Sequence, residues 1–271
     1  MELNLAGKRA LVTGSSSGIG EGIAMTLASE NVEVIVHGRD APRANLVREK
    51  IESLGGAART VCGDLSDEEG LRSVLEQVGE IDILVNNAGG PPYHEGDTSA
   101  TKMWLDIDMS WWKRAYDVNV MSIVGLTNAL VPYMQARRWG RVINVSSAVG
   151  YQPVAMGADY GAVKAAVLNL TVSLSKMVGK DGVTVNGVVP GPIMTPQLVR
   201  FYNELASERS LDHLSLDEIV HELTVEIFEL SLRKPGTPDD VGALVAFLAS
   251  DKSSFITGTN IRIDGGLIQS I

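Results

Sequence analysis

The stretch "LVTGSSSGIGEGIA", residues 11–24, sets three glycines and three serines behind a short apolar run and ahead of a helix-like one. Flexible residues gathered at Gly14, Gly18 and Gly20 have two explanations: a plain strand-to-helix turn, or a place where a bulky anion sits against bare backbone. The spacing Gly14-x-x-x-Gly18-x-Gly20 differs from the commoner dinucleotide pattern. It nevertheless lies at the entrance to a helix, whose free N–H groups and positive end would hold a pyrophosphate.

Outward from this stretch, strand-like runs recur at 9–13 ("RALVT"), 32–37 ("VEVIVH"), 58–62 ("ARTVC"), 82–86 ("DILVN"), 140–147 ("GRVINVSS"), 183–189 ("VTVNGVV") and 260–264 ("NIRID"). Helical patterns fill the gaps, with a long one through about 111–137 and others near 159–179 and 238–250. Strands so uniformly apolar are buried on both faces, as parallel strands covered by helices are. The pattern predicts one domain over 1–271: a doubly wound parallel α/β sheet with helices on both faces. Two segments, 90–110 and 192–236, break the rhythm. Each follows the carboxyl end of a strand, where such sheets bind ligands, and together they predict an extended substrate lid.

Composition narrows the partners. A 271-residue chain with 45% hydrophobic residues buries a substantial core, and its net charge of -10 argues against nucleic acid or an anionic membrane surface. Cys62 stands alone, so no intrachain disulfide forms, and the N-terminus shows no signal-peptide pattern. With no apolar run long enough to span a bilayer, a cytoplasmic chain is expected. The histidines His37, His94 and His213 have no ligand spacing, and His221 in "HEL" lacks a second histidine; no metal is expected.

Four further features follow in order: "NNAG" at 86–89, Asn119 in "YDVNV", Ser147 ending "INVSS", and "YGAVK" from Tyr160 to Lys164. With "TGSSSGIG", and with thirteen residues from Ser147 to Tyr160 and four from Tyr160 to Lys164, they are specific jointly where each alone is common. The chain resembles the classical short-chain dehydrogenase/reductases over nearly all of residues 5–267. The resemblance implies a Rossmann fold and a catalytic set Asn119, Ser147, Tyr160 and Lys164.

The chemistry of these residues can also be read directly. Tyr160 and Lys164 lie one turn apart on a helix and share a face. A tyrosine of pKa about 10 is a poor acid–base group near neutrality, but an adjacent ammonium and a positively charged nicotinamide would stabilise its phenolate. Tyr160 could then exchange a proton with a substrate oxygen, while Ser147 hydrogen-bonds that oxygen as charge develops. By resemblance, Lys164 also binds the nicotinamide ribose and Asn119 holds a water linking the lysine to solvent.

The resemblance extends to cofactor contacts. It implies a phosphate loop of Gly14, Ser16, Ser17, Gly18, Ile19 and Gly20, an adenine contact at Asp64 and Leu65, and a ribose wall at Asn87, Ala88 and Gly89. From "PGPIMT" it takes Pro190, Gly191, Ile193 and Thr195, the last two facing the carboxamide. Cofactor choice turns on "VIVHGRD". Gly38 stands where an NAD enzyme places a carboxylate and leaves room, and Arg39 offers a fork of donors for a 2′-phosphate. Asp40 complicates this, since it could pair with Arg39 or take the ribose contact itself. NADP is expected ahead of NAD.

The expected activity is NADP-dependent interconversion of a ketone, on a small or acyl substrate, and a secondary alcohol. The alternatives are an NAD-dependent secondary alcohol or sugar dehydrogenase and, from another class, a catalytically silent dinucleotide sensor. Arg137, Arg138 and Arg141 offer some basic surface for a carrier-bound substrate, offset by Asp181. Trp104, Trp111 and Trp112 either line a substrate pocket or pack a lid. The apolar helix beyond Tyr160 is either fully buried or part of a subunit interface, and the resemblance implies a homo-oligomer, dimer or tetramer.

Overall fold

The computed structural model describes residues 2–269 apart from 92, 95 and 96, three positions within the first expected lid segment. All seven apolar runs form strands: Arg9–Val12 (β1), Glu33–Gly38 (β2), Ala58–Cys62 (β3), Ile83–Asn86 (β4), Gly140–Val145 (β5), Val183–Pro190 (β6) and Asn260–Ile263 (β7). They make one parallel sheet in the order β3-β2-β1-β4-β5-β6-β7. The order reverses between β1 and β4, and the crevice outside their carboxyl ends is where such a sheet takes its ligand. β5 stops at Val145, two residues short of the expected run, which leaves Ser146 and Ser147 in the turn beyond it.

Alternation along the strands builds two cores. Ala10, Val12, Val34, Val36, Ile83 and Val85 face one side, packed on helices Gly18–Ser29 (α1), Ala41–Ser53 (α2) and Pro238–Ala249 (α9). Leu11, Ile35, Leu84 and Val142 face the other, packed on Glu68–Val78 (α3) and Ser122–Ala136 (α5). The doubly wound, single-domain sheet is therefore covered on both faces.

The helix expected over 111–137 is interrupted. Met109–Tyr116 (α4) runs into a π turn at Asp117–Met121 before α5 begins. Inside that turn Asn119 Nδ2 donates to the Ala115 carbonyl at 3.0 Å, a side-chain bond competing with the regular helical pattern. Ala158–Val178 (α6) then carries the Tyr160–Lys164 pair.

Between β6 and α9 the 192–236 segment folds as two helices, Pro196–Glu208 (α7) and Leu216–Ile227 (α8). They enclose a small core of their own around Tyr202, Leu205, Ile219 and Leu223, and Tyr202 Oη shares a 2.8 Å hydrogen bond with Thr224. The segment closes at a neck where Met194 N donates to the Gly236 carbonyl (2.8 Å) and Gly236 N to that of Pro192 (2.9 Å). The 90–110 segment holds two short 3₁₀ turns, Ser99–Thr101 and Trp104–Asp106, and is bridged to the front of α6 through Met103 and Met156.

Candidate active site

Tyr160 and Lys164 occupy successive turns of α6, with Lys164 Nζ 5.5 Å from the Tyr160 ring centroid. Ser147 faces the Tyr160 hydroxyl from the turn beyond β5 and favours its ionised form. Lys164 is buried at 3% exposure, and its Nζ donates to the Val145 carbonyl at 3.0 Å. Ser146 fixes the helix from the other side, its Oγ donating to the Lys164 carbonyl at 2.8 Å. β5 and α6 are thus tied together at the point where the two catalytic candidates emerge.

Burial sets the protonation states. It pushes Tyr160 up to about 12, against the pull of the Ser147 hydrogen bond, and brings Lys164 down to about 8. Loss of water thus favours the protonated tyrosine, as a proton donor requires.

Asn119 is wholly buried and grips the loop beyond β4. Its Oδ1 accepts from Gly90 N and its Nδ2 donates to the Gly90 carbonyl, both at 3.0 Å. Gly89 sits against it with φ +156, and a Cβ there would collide with Asn119 Oδ1 and come within 3.4 Å of Lys164 Nζ. Asn119, Lys164 and the 87–90 loop therefore converge.

The glycine loop lies beside that convergence. Gly14 has φ +65, and a Cβ on it would come 2.9 Å from Ala88 Cα; only glycine fits between the loops after β1 and β4. Asn87 does not offer its amide nitrogen to a ribose, because Nδ2 donates to the Thr13 (2.8 Å) and Gly14 (3.3 Å) carbonyls. Thr13, a residue the sequence reading missed, accepts at Oγ1 from the N–H groups of Asn87 and Ala88, each at 2.9 Å. Ser17 precedes α1 with no capping bond from its side chain, so its hydroxyl and the following N–H groups of Gly18, Ile19 and Gly20 head the helix as an anion site requires.

At the far end of the cleft, Gly38 does not leave the room expected of it. A Cβ there would lie 2.8 Å from both Cβ and Oγ of Ser16, so the carboxylate position of an NAD site is filled by the glycine loop itself. Asp40 is neither a partner of Arg39 nor a free ribose acceptor: it caps α2, accepting from Arg43 N at 3.1 Å. Arg39 instead reaches Asp64, Nη1 to Oδ2 at 3.4 Å. Burial raises the Asp64 carboxyl, but two hydrogen bonds from Ser66 and the charge of Arg39 outweigh it and hold the group below its usual range. Asp64 is not the cap of α3, a role taken by Asp67.

Other predicted contacts present little side chain. Leu65 and Ile193 are buried in the core, Pro190 ends β6, and Gly191 packs on Asp264. Thr195 Oγ1 caps α7 by accepting from Leu198 N, and its methyl carbon lies 3.3 Å from where a Gly18 Cβ would be. Trp104 remains 62% exposed and stacks on Trp112 at 5.0 Å. The arginines considered for a carrier lie at the wrong end. α5 runs back to the amino ends of the strands, so Arg137 meets Glu80 (3.3 Å) and Arg141 starts β5 buried against Asp251 (3.2 Å). Among the described residues no group of three or more His, Cys, Asp or Glu is placed to hold a metal, and no helix is long and apolar enough to cross a membrane.

The sequence matches the family model described as short chain dehydrogenase over residues 8–205. The chain belongs to the short-chain dehydrogenase family. A relative in the same family, the uncharacterized oxidoreductase YvaG of Bacillus subtilis, is 34% identical across the whole of both chains. The 3-oxoacyl-[acyl-carrier-protein] reductase of Aquifex aeolicus is 33% identical over 98% of this chain and 100% of its own. L-Sorbose reductase from Gluconobacter frateurii, solved in complex with NADPH and L-sorbose, matches with a TM-score of 0.90 and 28% identity, each chain covered completely. This short-chain dehydrogenase is an NAD(P)-dependent oxidoreductase acting on keto and CH–OH groups.

Proposed function

We propose that the enzyme uses NADP(H) to interconvert a small ketone and its secondary alcohol, with Tyr160 as the general acid and base. The observation that carries the cofactor reading is the packing of Gly38 on Ser16, which closes the position an NAD-selecting carboxylate would need. Asp40 is spent as a helix cap, and Arg39 stands at the ribose end with its side chain 65% exposed. The residues present fit a dinucleotide, since glycine backbone lines both loops that would approach it.

When bound, the nicotinamide supplies or accepts the hydride. The chain's own part is the proton. Tyr160 Oη donates to the carbonyl oxygen in reduction and takes the proton back in oxidation, and Ser147 hydrogen-bonds the same oxygen. Lys164, with one donor fixed on Val145, keeps two for the ribose hydroxyls and for holding charge beside Tyr160. Asn119 keeps the Gly89–Gly90 backbone pressed against this corner. The segments 90–110 and 192–236 cover the substrate.

A small soluble ketone is favoured over a carrier-bound one because Arg137 and Arg141 lie at the amino ends of the strands, away from Tyr160. The complete match to a sorbose reductase supports a keto sugar within that class. The enzyme is proposed to work as a homo-oligomer, dimer or tetramer: α6 turns a stripe of Ala162, Ala165, Asn169 and Ser173 outward, beside exposed Met121 and Tyr133 of the preceding helical run. Light scattering on the purified enzyme tests that point. Oxidation of NADPH and NADH against keto sugars, ketoacyl thioesters, keto acids and cyclic ketones tests the rest. Turnover of a small ketone with NADPH preferred is the expected result; a preference for NADH, or turnover of thioesters alone, would overturn it.

A further inference from the structure

Residue 37 interrupts a run of aliphatic side chains in β2 with an imidazole, and that imidazole is only 2% exposed. Both ring nitrogens are engaged. Gly14 N donates to Nδ1 at 3.1 Å, and Nε2 faces the Gly63 carbonyl at 3.2 Å. An N–H pointing at one nitrogen and a carbonyl at the other leave a single consistent form: neutral, with the proton on Nε2. Burial accordingly brings the ring down to about 4. The main chain of the same residue holds the same loop, since Ser15 N donates to the His37 carbonyl (2.8 Å) and His37 N to Ser15 Oγ (2.9 Å).

We infer that His37 is a positioning residue for the cofactor, tying the loop after β1 to the turn after β3 and so fixing the span between pyrophosphate and adenosine. The inference rests on the reading that a dinucleotide lies across these loops. One tie ends on Gly14, at the head of the phosphate loop. The other ends on Gly63, next to Asp64, which in turn holds Arg39. Because His37 takes the N–H groups of both Gly14 and Ser15, the donors left for phosphate begin at Ser16. An aliphatic side chain would fill the same volume and make neither tie.

The test compares a ligand that spans both loops with one that reaches a single loop. His37→Leu removes both ties; His37→Asn keeps an acceptor near Gly14 and loses the Gly63 bond. Titration calorimetry should show NADPH weakened on the order of tenfold in His37→Leu, about 1.4 kcal/mol, and less in His37→Asn. Binding of adenosine 2′-phosphate, which has no 5′-phosphate and is confined to the adenosine end, should weaken less than about threefold, and the cofactor KM should rise more than kcat falls. Equal weakening of NADPH and adenosine 2′-phosphate would mean general loosening and overturn the inference, as would no change in either. Should His37→Leu fail to fold, His37→Asn decides by the same comparison. A wild type that prefers NADH would overturn the NADP reading alone, and the comparison would then run with NADH against adenosine.

Discussion

Arg39 Nη1 lies 3.4 Å from Asp64 Oδ2, a pair made between the turns after β2 and β3 rather than within one loop. The two side chains are 65% and 35% exposed, so the pair is worth about 0–1 kcal/mol. A hydrogen bond from a guanidinium to a phosphate is worth roughly 1.5–3 kcal/mol, enough to draw Arg39 off the carboxylate. Arg39→Ala should therefore weaken NADPH by about 10- to 150-fold and leave NADH little changed. Dissociation constants for both cofactors in wild type and variant check this; an unchanged ratio would remove Arg39 from the site.

Tyr160→Phe deletes the hydroxyl that Ser147 faces and leaves the ring packed with Ala115, Val120 and Val163. Turnover should fall on the order of 100- to 10,000-fold, with NADPH affinity held within about threefold. Retention of more than about a third of the wild-type rate on a true substrate would refute the tyrosine mechanism.

Lys164 and Tyr160 make the rate depend on pH in a definite direction. Lys164 sits at about 8, so it loses its charge as pH rises through that value, while Tyr160 at about 12 keeps its proton throughout. In the reductive direction kcat/KM should hold below pH about 8 and decline above it with one-proton slope, because the ammonium goes and the proton donor does not. A profile level up to pH about 10 would show that Lys164 keeps an ordinary lysine pKa.

The strands were legible because a parallel strand buried on both faces must be apolar along its length, and "VEVIVH" or "VTVNGVV" has few other uses. The candidate corner was legible because chain spacing alone brings Ser147, Tyr160 and Lys164 together from a strand end and one helix. What escaped depended on contacts between distant segments. Nothing local to "YDVNV" announces a π turn whose cause is the Asn119 side chain on Ala115 and Gly90. The room at Gly38 is taken by Ser16, 22 residues away in sequence. The pair α7 and α8 left a signal that went unread: "SLDE" at 215–218 spells the capping box found there, Ser215 with Glu218. His37 was tested only for metal spacing, and its partners Gly14 and Gly63 are both glycines whose backbone, not side chain, it binds.

The lid segment packs chiefly on itself and joins the body at its neck, where Met194 N donates to the Gly236 carbonyl and Gly236 N to that of Pro192. Such an element opens at low free-energy cost. Amide exchange in α7 and α8 should be faster in the free enzyme than with cofactor and substrate together, while β1 and β4 stay equally protected. Equal exchange of α7 and α8 in both states would assign them to a fixed surface instead.

The neutral His37 ring also leaves a mark on stability. An unfolded histidine takes up its proton as pH falls through 6.5, whereas the folded one resists until about 4. Between these values the unfolded chain binds more protons, so stability declines as pH falls across that window and levels off below it. The loss amounts to roughly 3 kcal/mol for this one group. Burial is the main cause; the Gly63 bond and Asp64 oppose it, and Arg39 adds to it. Other groups titrate over the same range, so the quantity to measure is a difference. Urea unfolding of wild type and His37→Asn at pH about 7, 5.5 and 4 should show the wild type losing roughly 3 kcal/mol more than the variant. Parallel losses would mean that His37 accepts its proton in the folded protein, in which case Gly14 N could not be donating to Nδ1.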